Sequence, residues 1–450
     1  MEEHLPDIES PSLQKGSIVN VLKKLDVVIG DAKDLRDRNQ VYDTELQKAL
    51  QIVKLFIMNK KRICYGGMAI NAHLTVNKFY DFTRSIPDYD FFTPDAEKDN
   101  SELMYKLESA GFESVKSRIG VHEGTMKIFV NYVAVADISN LVSWKYNRLF
   151  KNSKVIDGIH YADEDFLRMG MYLELSRPRG EVERWDKVYK RVLLLNQEKP
   201  PVIKSGVKGV SSSIKIPKEI HYELMNYCMI NSMIYCGADI SDIYEHPDRD
   251  ASKVVEESVA PILAYSSNVD SHSHEIKSIL SQKFPDSEIS MKQWLPEDEM
   301  FPKTNGVYRN GKLYCLLLQQ DYCYSYNTVK LTSTDILKIA SLDTAIALYY
   351  SLDFLKDLSG LVDGSCSSFA KKLVKICTKT RDAGRPGQFP LFSKLCSGYQ
   401  PSKASLLRAK EKRIQSLKKK LKKRVFNHRK TKKAKGVEKM KGVMKGIVKV

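Results

Sequence analysis

The chain has 450 residues, of which 42% are hydrophobic, so it is long enough for two or three domains with substantial cores. It contains no run of eighteen apolar residues, and the opening MEEHLPDIES lacks both a basic start and an apolar middle. We therefore expect a soluble, intracellular protein with neither a membrane span nor a secretory signal. The net charge of +17 is concentrated in residues 401–450, which hold 20 of the 72 basic and 2 of the 55 acidic residues.

The eight cysteines are scattered along the chain without a C-x-x-C pair. They form no cluster with histidines at the spacing of a zinc site. We therefore expect reduced thiols that are mostly packed in the interior.

Strands and helices alternate in the first part of the chain. Residues 40–61 carry apolar side chains at helical spacing, which predicts a helix that leads into a short buried strand at 62–65. A glycine pair at 66–67 then opens a predicted helix. The strand PDYDFFT, a helix around SELMYKLESAGF and the alternating run KIFVNYVAVADIS follow in that order. This alternation favours a mixed α/β architecture built of layers.

The second part of the chain repeats this order with different residues. Two predicted helices at 161–196 are followed by a stretch rich in Gly, Ser and Pro at 200–217, which is typical of a linker. Beyond the linker a strand, a small-residue turn, a helix and further strands recur. Ser266-Ser267 takes the place of the glycine pair, and Lys292 lies on the candidate strand without a D-x-D. We infer a degenerate copy of the first part.

Two aspartates lie at alternate positions of the apolar strand PDYDFFT. Because side chains alternate between the faces of a strand, Asp88 and Asp90 project from the same side, where they repel each other unless a cation lies between them. Asp137 ends a second apolar strand. If the two strands are neighbours, the three carboxylates meet around one or two hard divalent ions, which prefer oxygen ligands.

The glycine pair adds a second kind of signal. Gly66 and Gly67 allow close approach of a nucleotide at the start of a helix, where backbone N–H groups and the helix dipole favour phosphate oxygens. A lone glycine pair or a lone D-x-D says little. Their order, with a strand before the glycines and a third aspartate on a later strand, indicates a metal-dependent site.

The order of a glycine pair, a D-x-D and a distal aspartate resembles the nucleotidyltransferase superfamily of DNA polymerase β. The segments YGGMAIN, IPDYDFFTPDA, EGTMKIFVNYVAVADIS and DFLRMGMYLELSRPRGEVERWDKVYKR are similar to poly(A) polymerase catalytic subunits of large nucleocytoplasmic DNA viruses, of the mimivirus and asfarvirus type. The resemblance covers residues 40–200 and continues more weakly to about residue 400. The gap at 68–87 is longer than is usual in the wider superfamily.

The resemblance implies template-independent addition of AMP from ATP to the 3′ end of mRNA. It implies that Gly66 and Gly67 bind the triphosphate, and that Asp88 and Asp90 ligate two metal ions, Mg²⁺ or Mn²⁺. Asp137 would ligate the metal ion that activates the attacking hydroxyl. The implied partners are ATP and an RNA 3′ end, with no membrane, and the implied locations are the host cytoplasm with its viral factory and the virion. A homodimer and a separate processivity subunit both stay open.

Basic residues recur along the two helices that follow the predicted catalytic strands. They are Arg168, Arg177, Arg179, Arg184, Lys187, Lys190 and Arg191, and Tyr189 lies among them. Arginine suits bidentate contact with phosphate, and tyrosine stacks on bases. We predict that this group lines the triphosphate and adenine, with Arg168, Lys187, Tyr189 and Lys190 as the nucleotide-binding members. The alternative is a solvated helix face with pairs such as Glu183 and Lys187.

We therefore expect an α/β (α+β) fold with two nucleotidyltransferase-like domains, in which mixed sheets are flanked by helices. The predicted parts are an N-terminal segment at 1–39, a catalytic domain at 40–200, a linker at 201–217, a degenerate domain at 218–400 and a basic tail at 401–450. The tail is predicted to begin as a helix with Leu407, Ile414, Leu417 and Leu421 on one side, and to bind polyanions non-specifically.

Two other functions are compatible with parts of this pattern. Another nucleotidyl transfer, such as CCA addition or cyclic-dinucleotide synthesis, keeps the aspartates and changes the acceptor. An RNA-binding scaffold with a dead site predicts that Asp88→Ala leaves function intact. The intact set of three aspartates argues against the scaffold.

Overall fold

The computed structural model describes two compact units of the chain. It describes residues 41–80, 88–203, 214–246, 249–296, 300–354, 365–384 and 388–416, with shorter pieces at 23–25, 27–32, 35, 358, 361 and 418–419. The first unit takes the described residues up to Gly120 and from Gly124 to Tyr161, and the second takes Val121–Glu123 and those from Ala162 onward. Each unit contains one mixed sheet with helices, which confirms the predicted α/β fold class. The domain boundaries given above stay predictions.

The first unit has a seven-stranded sheet. Its helices are α1 (Thr44–Lys60), α2 (Gly66–His73), α3 (Ala96–Ser109) and α4 (Ser143–Asn152). Its strands are β1 (Ile63–Cys64), β2 (Tyr89–Thr93), β3 (Val115–Ile119), β4 (Thr125–Val130), β5 (Val133–Asn140), β6 (Lys154–Ile156) and β7 (Ile159–Tyr161). The strand order is β3-β4-β5-β2-β1-β7-β6. The β1/β7 and β2/β5 pairs are parallel and the other neighbours are antiparallel.

Helix α1 forms as the apolar spacing predicts. The Asp43 side chain caps its start by accepting the Leu46 N–H at 3.0 Å, and Lys61 ends it in a left-handed conformation. Its apolar face is buried, and Phe56 approaches Phe91 of β2 with ring centroids 6.2 Å apart. Because Phe91 points toward this helix, its neighbour Asp90 projects from the opposite face of the sheet.

The second unit has an eight-stranded sheet. Its helices are α5 (Glu164–Leu175), α6 (Trp185–Glu198), α7 (Lys218–Ile230), α8 (Ile240–Glu245), α9 (Ala251–Glu256), α10 (Val269–Lys283), α11 (Leu342–Phe354) and α12 (Cys366–Asp382), with a 3₁₀ turn at Val182–Arg184. Its strands are β8 (Ile234–Tyr235), β9 (Ile262–Ser266), β10 (Ile289–Trp294), β11 (Thr304–Arg309), β12 (Lys312–Gln319), β13 (Tyr324–Lys330), β14 (Ile336–Ala340) and β15 (Cys396–Ser397). The strand order is β10-β11-β12-β9-β8-β14-β13-β15.

The second sheet repeats the topology of the first and adds one strand. Its first seven strands, from β10 to β13, match β3 to β6 in order and in the direction of every pairing. The backbone N–H of Tyr65 donates to the Asp90 carbonyl, and that of Cys236 donates to the Leu263 carbonyl, so Leu263 is equivalent to Asp90. Leu316 lies opposite Leu263 as Asp137 lies opposite Asp90.

The same alignment places Pro261 at the position of Asp88. All three carboxylate positions are therefore apolar in the second sheet, and Leu263 and Leu316 are buried. The second sheet repeats the fold and lacks the acidic set.

This alignment corrects two expectations from the sequence. Ser266 ends β9, and the turn equivalent to the glycine pair follows β8 at Gly237-Ala238, because Cys236 is equivalent to Tyr65. Lys292 lies on β10 at the edge of the sheet, whereas the strand equivalent to β2 is β9. The order of elements in the sequence placed these residues wrongly because β8 has only two residues and two short helices separate it from β9.

Two cysteines differ from the prediction of reduced thiols. Cys323 and Cys396 form a disulfide that joins the residue directly before β13 to β15. They lie 73 positions apart, and their approach depends on the fold of the second unit. The other six cysteines are buried thiols, as predicted.

The beginning of the basic tail is helical, as predicted, at residues 403–416. The Arg413 guanidinium donates to the Val121 carbonyl at 2.5 Å, so this helix packs on the rest of the second unit. Leu417 and Leu421 lie outside the described residues. Among the residues that the structure describes, no helix combines the length and apolar character that a membrane crossing needs.

Candidate active site

Three carboxylates meet on one face of the first sheet. Strands β2 and β5 are neighbours, as the sequence hypothesis requires, and Asp90 lies directly opposite Asp137. Asp88 precedes β2 by one position and shares the face of Asp90. One oxygen from each of the three side chains lies within 4.8 Å of the other two. Asp88 and Asp90 are half-buried, and Asp137 is 9% exposed.

The two oxygens of Asp137 have different surroundings. Oδ2 contacts the Nζ of Lys127, which lies on the neighbouring strand β4. Oδ1 is buried and has no hydrogen-bond partner among the described residues. A buried carboxylate oxygen without a donor is costly, and a cation removes that cost. The all-oxygen donor set and this oxygen fit a hard divalent ion such as Mg²⁺ or Mn²⁺.

Gly66 brings the backbone close to the acidic set. Its φ of +67° lies in the left-handed region, and a Cβ at this position would lie 2.5 Å from Oδ2 of Asp90. Only glycine therefore fits here without moving the carboxylate. Gly66 and Gly67 begin α2, and the N-cap residue Tyr65 makes no side-chain hydrogen bond to the first turn. The backbone N–H groups of this turn are suited to an anionic ligand.

The aromatic and thiol groups beside the site stay neutral. Burial, followed by the charge of Asp90, raises the pKa of Tyr65 above its usual value, and burial likewise raises the pKa of Cys64. Burial raises the pKa of Tyr89 to about 12. The Tyr65 hydroxyl shares a 2.8 Å hydrogen bond with Ser139, and its ring stacks on Phe92 at a centroid distance of 3.9 Å. Neither Tyr65 nor Tyr89 is therefore a base at neutral pH.

The segment that contains this site is similar to known proteins. Residues 51–181 match the family model described as "Poly(A) polymerase catalytic subunit", and this range contains the glycine pair and all three aspartates. The segment that contains the site is therefore similar to this family, which agrees with the resemblance noted in the sequence.

Viral relatives agree with this similarity. A protein of African swine fever virus (strain Badajoz 1971 Vero-adapted), named "Putative poly(A) polymerase catalytic subunit", is 30% identical over 211 residues, which span 44% of this chain and 42% of that protein. A protein of the same name from Acanthamoeba polyphaga mimivirus is 30% identical over 189 residues, 40% of this chain and 31% of that protein. The chain thus matches less than half the length of these relatives.

The fold is also found in a solved structure. The crystal structure of the Megavirus polyadenylate synthase superposes with a TM-score of 0.72 at 20% identity, and the superposition covers 93% of this chain and 86% of that chain. At this identity the likeness shows the fold. It extends well beyond the family segment, so both units share their architecture with that protein.

Arg168, one of the predicted nucleotide-binding residues, lies within the family segment and in the second unit. It is 2% exposed. Its guanidinium donates to Asn196 at 2.8 Å, to Asp165 at 3.0 Å and to the Lys199 carbonyl. These bonds join α5 to the end of α6. The nucleotide contact of Arg168 stays a prediction beside this packing role.

The other predicted nucleotide-binding residues lie on α6, beyond the family segment. Lys187 and Lys190 are exposed, and Lys190 pairs with Asp186 at 2.8 Å, an i, i+4 pair of the kind considered as the alternative. Tyr189 is half-buried, with its ring edge-on to Phe392 at a centroid distance of 5.0 Å. Their roles in nucleotide binding stay predictions.

Lys127 and Tyr65 contribute to the site and were missed from the sequence. Lys127 opens the alternating run that ends near Asp137, so its charge on an apolar strand was the available signal. Which residue it faces depends on strand register. Tyr65 was read only as part of the short strand at 62–65, although it directly precedes the glycine pair.

Proposed function

We propose that this chain is a template-independent poly(A) polymerase that adds AMP from ATP to the 3′ ends of mRNA. The observation that carries the proposal is the set of three carboxylates, Asp88, Asp90 and Asp137, with oxygens within 4.8 Å of one another beside a helix opened by glycines. The similarity of the same segment to this family supports the choice of polyadenylation over other nucleotidyl transfers.

In the proposed reaction the chain's residues bind and orient the reactants. Asp88 and Asp90 would hold two divalent ions, and Asp137 would hold the ion that activates the attacking hydroxyl. Bound there, such ions would supply Lewis-acid activation of the RNA 3′-hydroxyl and charge neutralisation at the α-phosphate. The backbone N–H groups of Gly66 and Gly67 donate to oxygens of the triphosphate.

The chemical change is a single displacement. The RNA 3′-oxygen forms a bond to the α-phosphorus of ATP while the bond from that phosphorus to the bridging oxygen of the β-phosphate breaks. AMP is added to the RNA, and pyrophosphate leaves. No side chain forms a covalent intermediate, so the residues contribute orientation and electrostatics.

The proposed partners are the RNA 3′ end and ATP, and we place the protein in the host cytoplasm and in the virion. The basic tail is proposed to hold RNA through its phosphates. Arg168, Lys187, Tyr189 and Lys190 are proposed as contacts of the nucleotide.

The test is primer extension by the full chain in Mg²⁺ or Mn²⁺, with each nucleotide supplied alone. We expect wild type to add long adenylate tracts from ATP and Asp90→Ala to add none. Asp157→Asn is a matched control, because Asp157 is exposed and has a positive φ of 50°, which asparagine tolerates. It should retain wild-type extension.

The same experiment separates the alternatives. A CCA-adding enzyme would add cytidylate and stop after a few nucleotides. A cyclic-dinucleotide synthase would form product without primer. A scaffold would show no extension by wild type and unchanged RNA binding by Asp90→Ala. Any of these results would contradict the proposed activity.

A further inference from the structure

Lys127 lies in line with two of the three aspartates. It is directly opposite Asp137 in the antiparallel β4/β5 pair, and Asp137 is directly opposite Asp90 in the parallel β2/β5 pair. Residues opposite each other in a sheet share a face, so the three side chains form one row across three strands. The Lys127 Nζ contacts Asp137 Oδ2, and the two side chains are 38% and 12% exposed.

A β-bulge creates this alignment. Strands β4 and β5 are joined by a tight turn at Asn131 and Tyr132, whose φ angles are both positive. The register shifts by one residue between Ile128 and Phe129. Without that shift, the register of the turn would bring Met126 opposite Asp137, and Lys127 would lie on the other face. Bulges beside active sites commonly re-aim a side chain in this way.

The second sheet gives an internal comparison. Its β11/β12 pair has a register shift at the equivalent position, between Val307 and Tyr308. Gly306 is the residue opposite Leu316, so it occupies the position of Lys127. The lysine is therefore absent where the carboxylates are absent, although the bulge is retained.

The contact with Lys127 gives the two oxygens of the Asp137 carboxylate different surroundings. Oδ2 is held by the ammonium group, and Oδ1 is buried without a hydrogen-bond partner among the described residues. A carboxylate that ligates a metal is usually oriented by a hydrogen bond to its other oxygen, and loss of that partner weakens metal binding. Oδ1 is thus the oxygen of Asp137 that is left for a cation.

We propose that Lys127 is a positioning residue of the metal site. Its ammonium group holds Asp137 Oδ2 so that Oδ1 is directed to the divalent ion, and its charge offsets one of the three negative charges. This inference rests on the proposed function, because it concerns the same metal ions. The opposite role, in which Lys127 competes with the metal ion for Asp137, predicts the opposite change in metal affinity.

The test is a titration of the metal-free full chain with Mn²⁺ in the absence of RNA and nucleotide. Electron paramagnetic resonance measures the unbound Mn²⁺ and so gives the affinity. We expect Lys127→Ala to weaken Mn²⁺ binding about 10- to 100-fold and Lys127→Arg to restore most of the affinity. Lys116→Ala is the matched control. Lys116 lies on the same sheet face in β3, opposite Phe129, and its Nζ is 3.3 Å from the Tyr132 hydroxyl. It should bind Mn²⁺ as wild type does.

A second readout separates positioning from a general loss of structure. The Mg²⁺ concentration that half-activates primer extension should rise in Lys127→Ala, while the rate at saturating Mg²⁺ returns to within a few-fold of wild type. If Lys127→Ala melts before the assay temperature, Lys127→Gln takes its place and should show the same weakening. Unchanged or tighter Mn²⁺ binding by a folded Lys127 variant overturns the inference. Absence of Mn²⁺ binding by wild type overturns the proposed function as well.

Discussion

Asp90 and Asp137 lie opposite each other on parallel strands, so two carboxylates occupy one row of the sheet without an intervening side chain. Like charges directly opposite each other destabilise a sheet, and Asp88 adds a third carboxylate within 4.8 Å. Such an arrangement is retained at the expense of stability when the charges have a function. The stability and the activity of variants at these positions should therefore change in opposite directions.

Asp90→Asn tests this opposition. Removal of one of the clustered charges should raise the free energy of unfolding of the metal-free protein by about 1 to 3 kcal/mol. Primer extension should fall by about 1,000-fold or more, equivalent to about 4 kcal/mol of transition-state stabilisation. Urea unfolding in a chelator and single-turnover extension measure the two quantities. A variant that is both less stable and fully active would contradict the assignment of Asp90.

Gly66→Ala should affect the site more than the fold. A side chain at a positive φ costs about 1 to 2 kcal/mol, and the new Cβ would also displace the Asp90 carboxylate, whose Oδ2 lies 2.5 Å away. We expect a loss of extension of about 100-fold together with weaker Mn²⁺ binding, measured by kinetics and by metal titration.

Gly111→Ala is the control for backbone strain alone. Gly111 has a φ of +97°, and a Cβ there meets no atom within 4 Å. This variant should lose a similar amount of stability and keep its activity. Equal activity of the two variants would show that the close approach of Gly66 to Asp90 has no importance for catalysis.

The acidic set was predictable because its signals are local. The alternation of Asp88 and Asp90 with apolar residues fixes their common face, and the apolar run before Asp137 predicts a strand. Lys127 was not predictable, because a single-residue bulge decides whether it or Met126 faces Asp137. Sequence spacing carries no information on such a shift.

The second unit shows a different limit. Its repeat of the fold was recognised from the order of elements, but the residues were placed in the wrong strands. Strand β8 is only two residues long, and its equivalence to β1 is defined by pairing with β9 and β14 rather than by any local pattern. The Cys323–Cys396 disulfide was not predictable for the same reason, since it joins segments that are distant in sequence.

Tyr65→Phe should leave the pH dependence of activity unchanged. Burial and the charge of Asp90 raise the pKa of Tyr65, so its phenol is protonated throughout the neutral range and supplies no base. Loss of the hydrogen bond to Ser139 should lower the free energy of unfolding by about 1 kcal/mol. A change in the alkaline limb of the rate profile between pH 7 and 9 would show that Tyr65 does exchange a proton.

The raised pKa of Tyr65 also predicts how the stability of the protein depends on pH. A group with a pKa raised in the folded state contributes stability that is present below its unfolded pKa, about 10, and is lost as the pH rises above that value. Wild type should therefore lose stability above pH 10 more steeply than Tyr65→Phe. Urea unfolding at pH 8 and at pH 10.5 measures the difference, and parallel losses in the two proteins would assign the alkaline instability to other groups.

The basic tail should be cut after residue 420 rather than after residue 400. Residues 403–416 form a helix in which Arg413 donates to the Val121 carbonyl, so a cut at 400 removes packing together with charge. A cut at 420 removes 12 of the 20 basic residues of the tail and leaves this helix in place. The slope of log affinity against log salt is negative. If the tail makes five phosphate contacts with single-stranded RNA, the cut at 400 should make this slope less negative by about 3.5. The cut at 420 should produce part of that change with an unaltered melting temperature, whereas an unchanged slope in both truncated proteins would remove the tail from RNA binding.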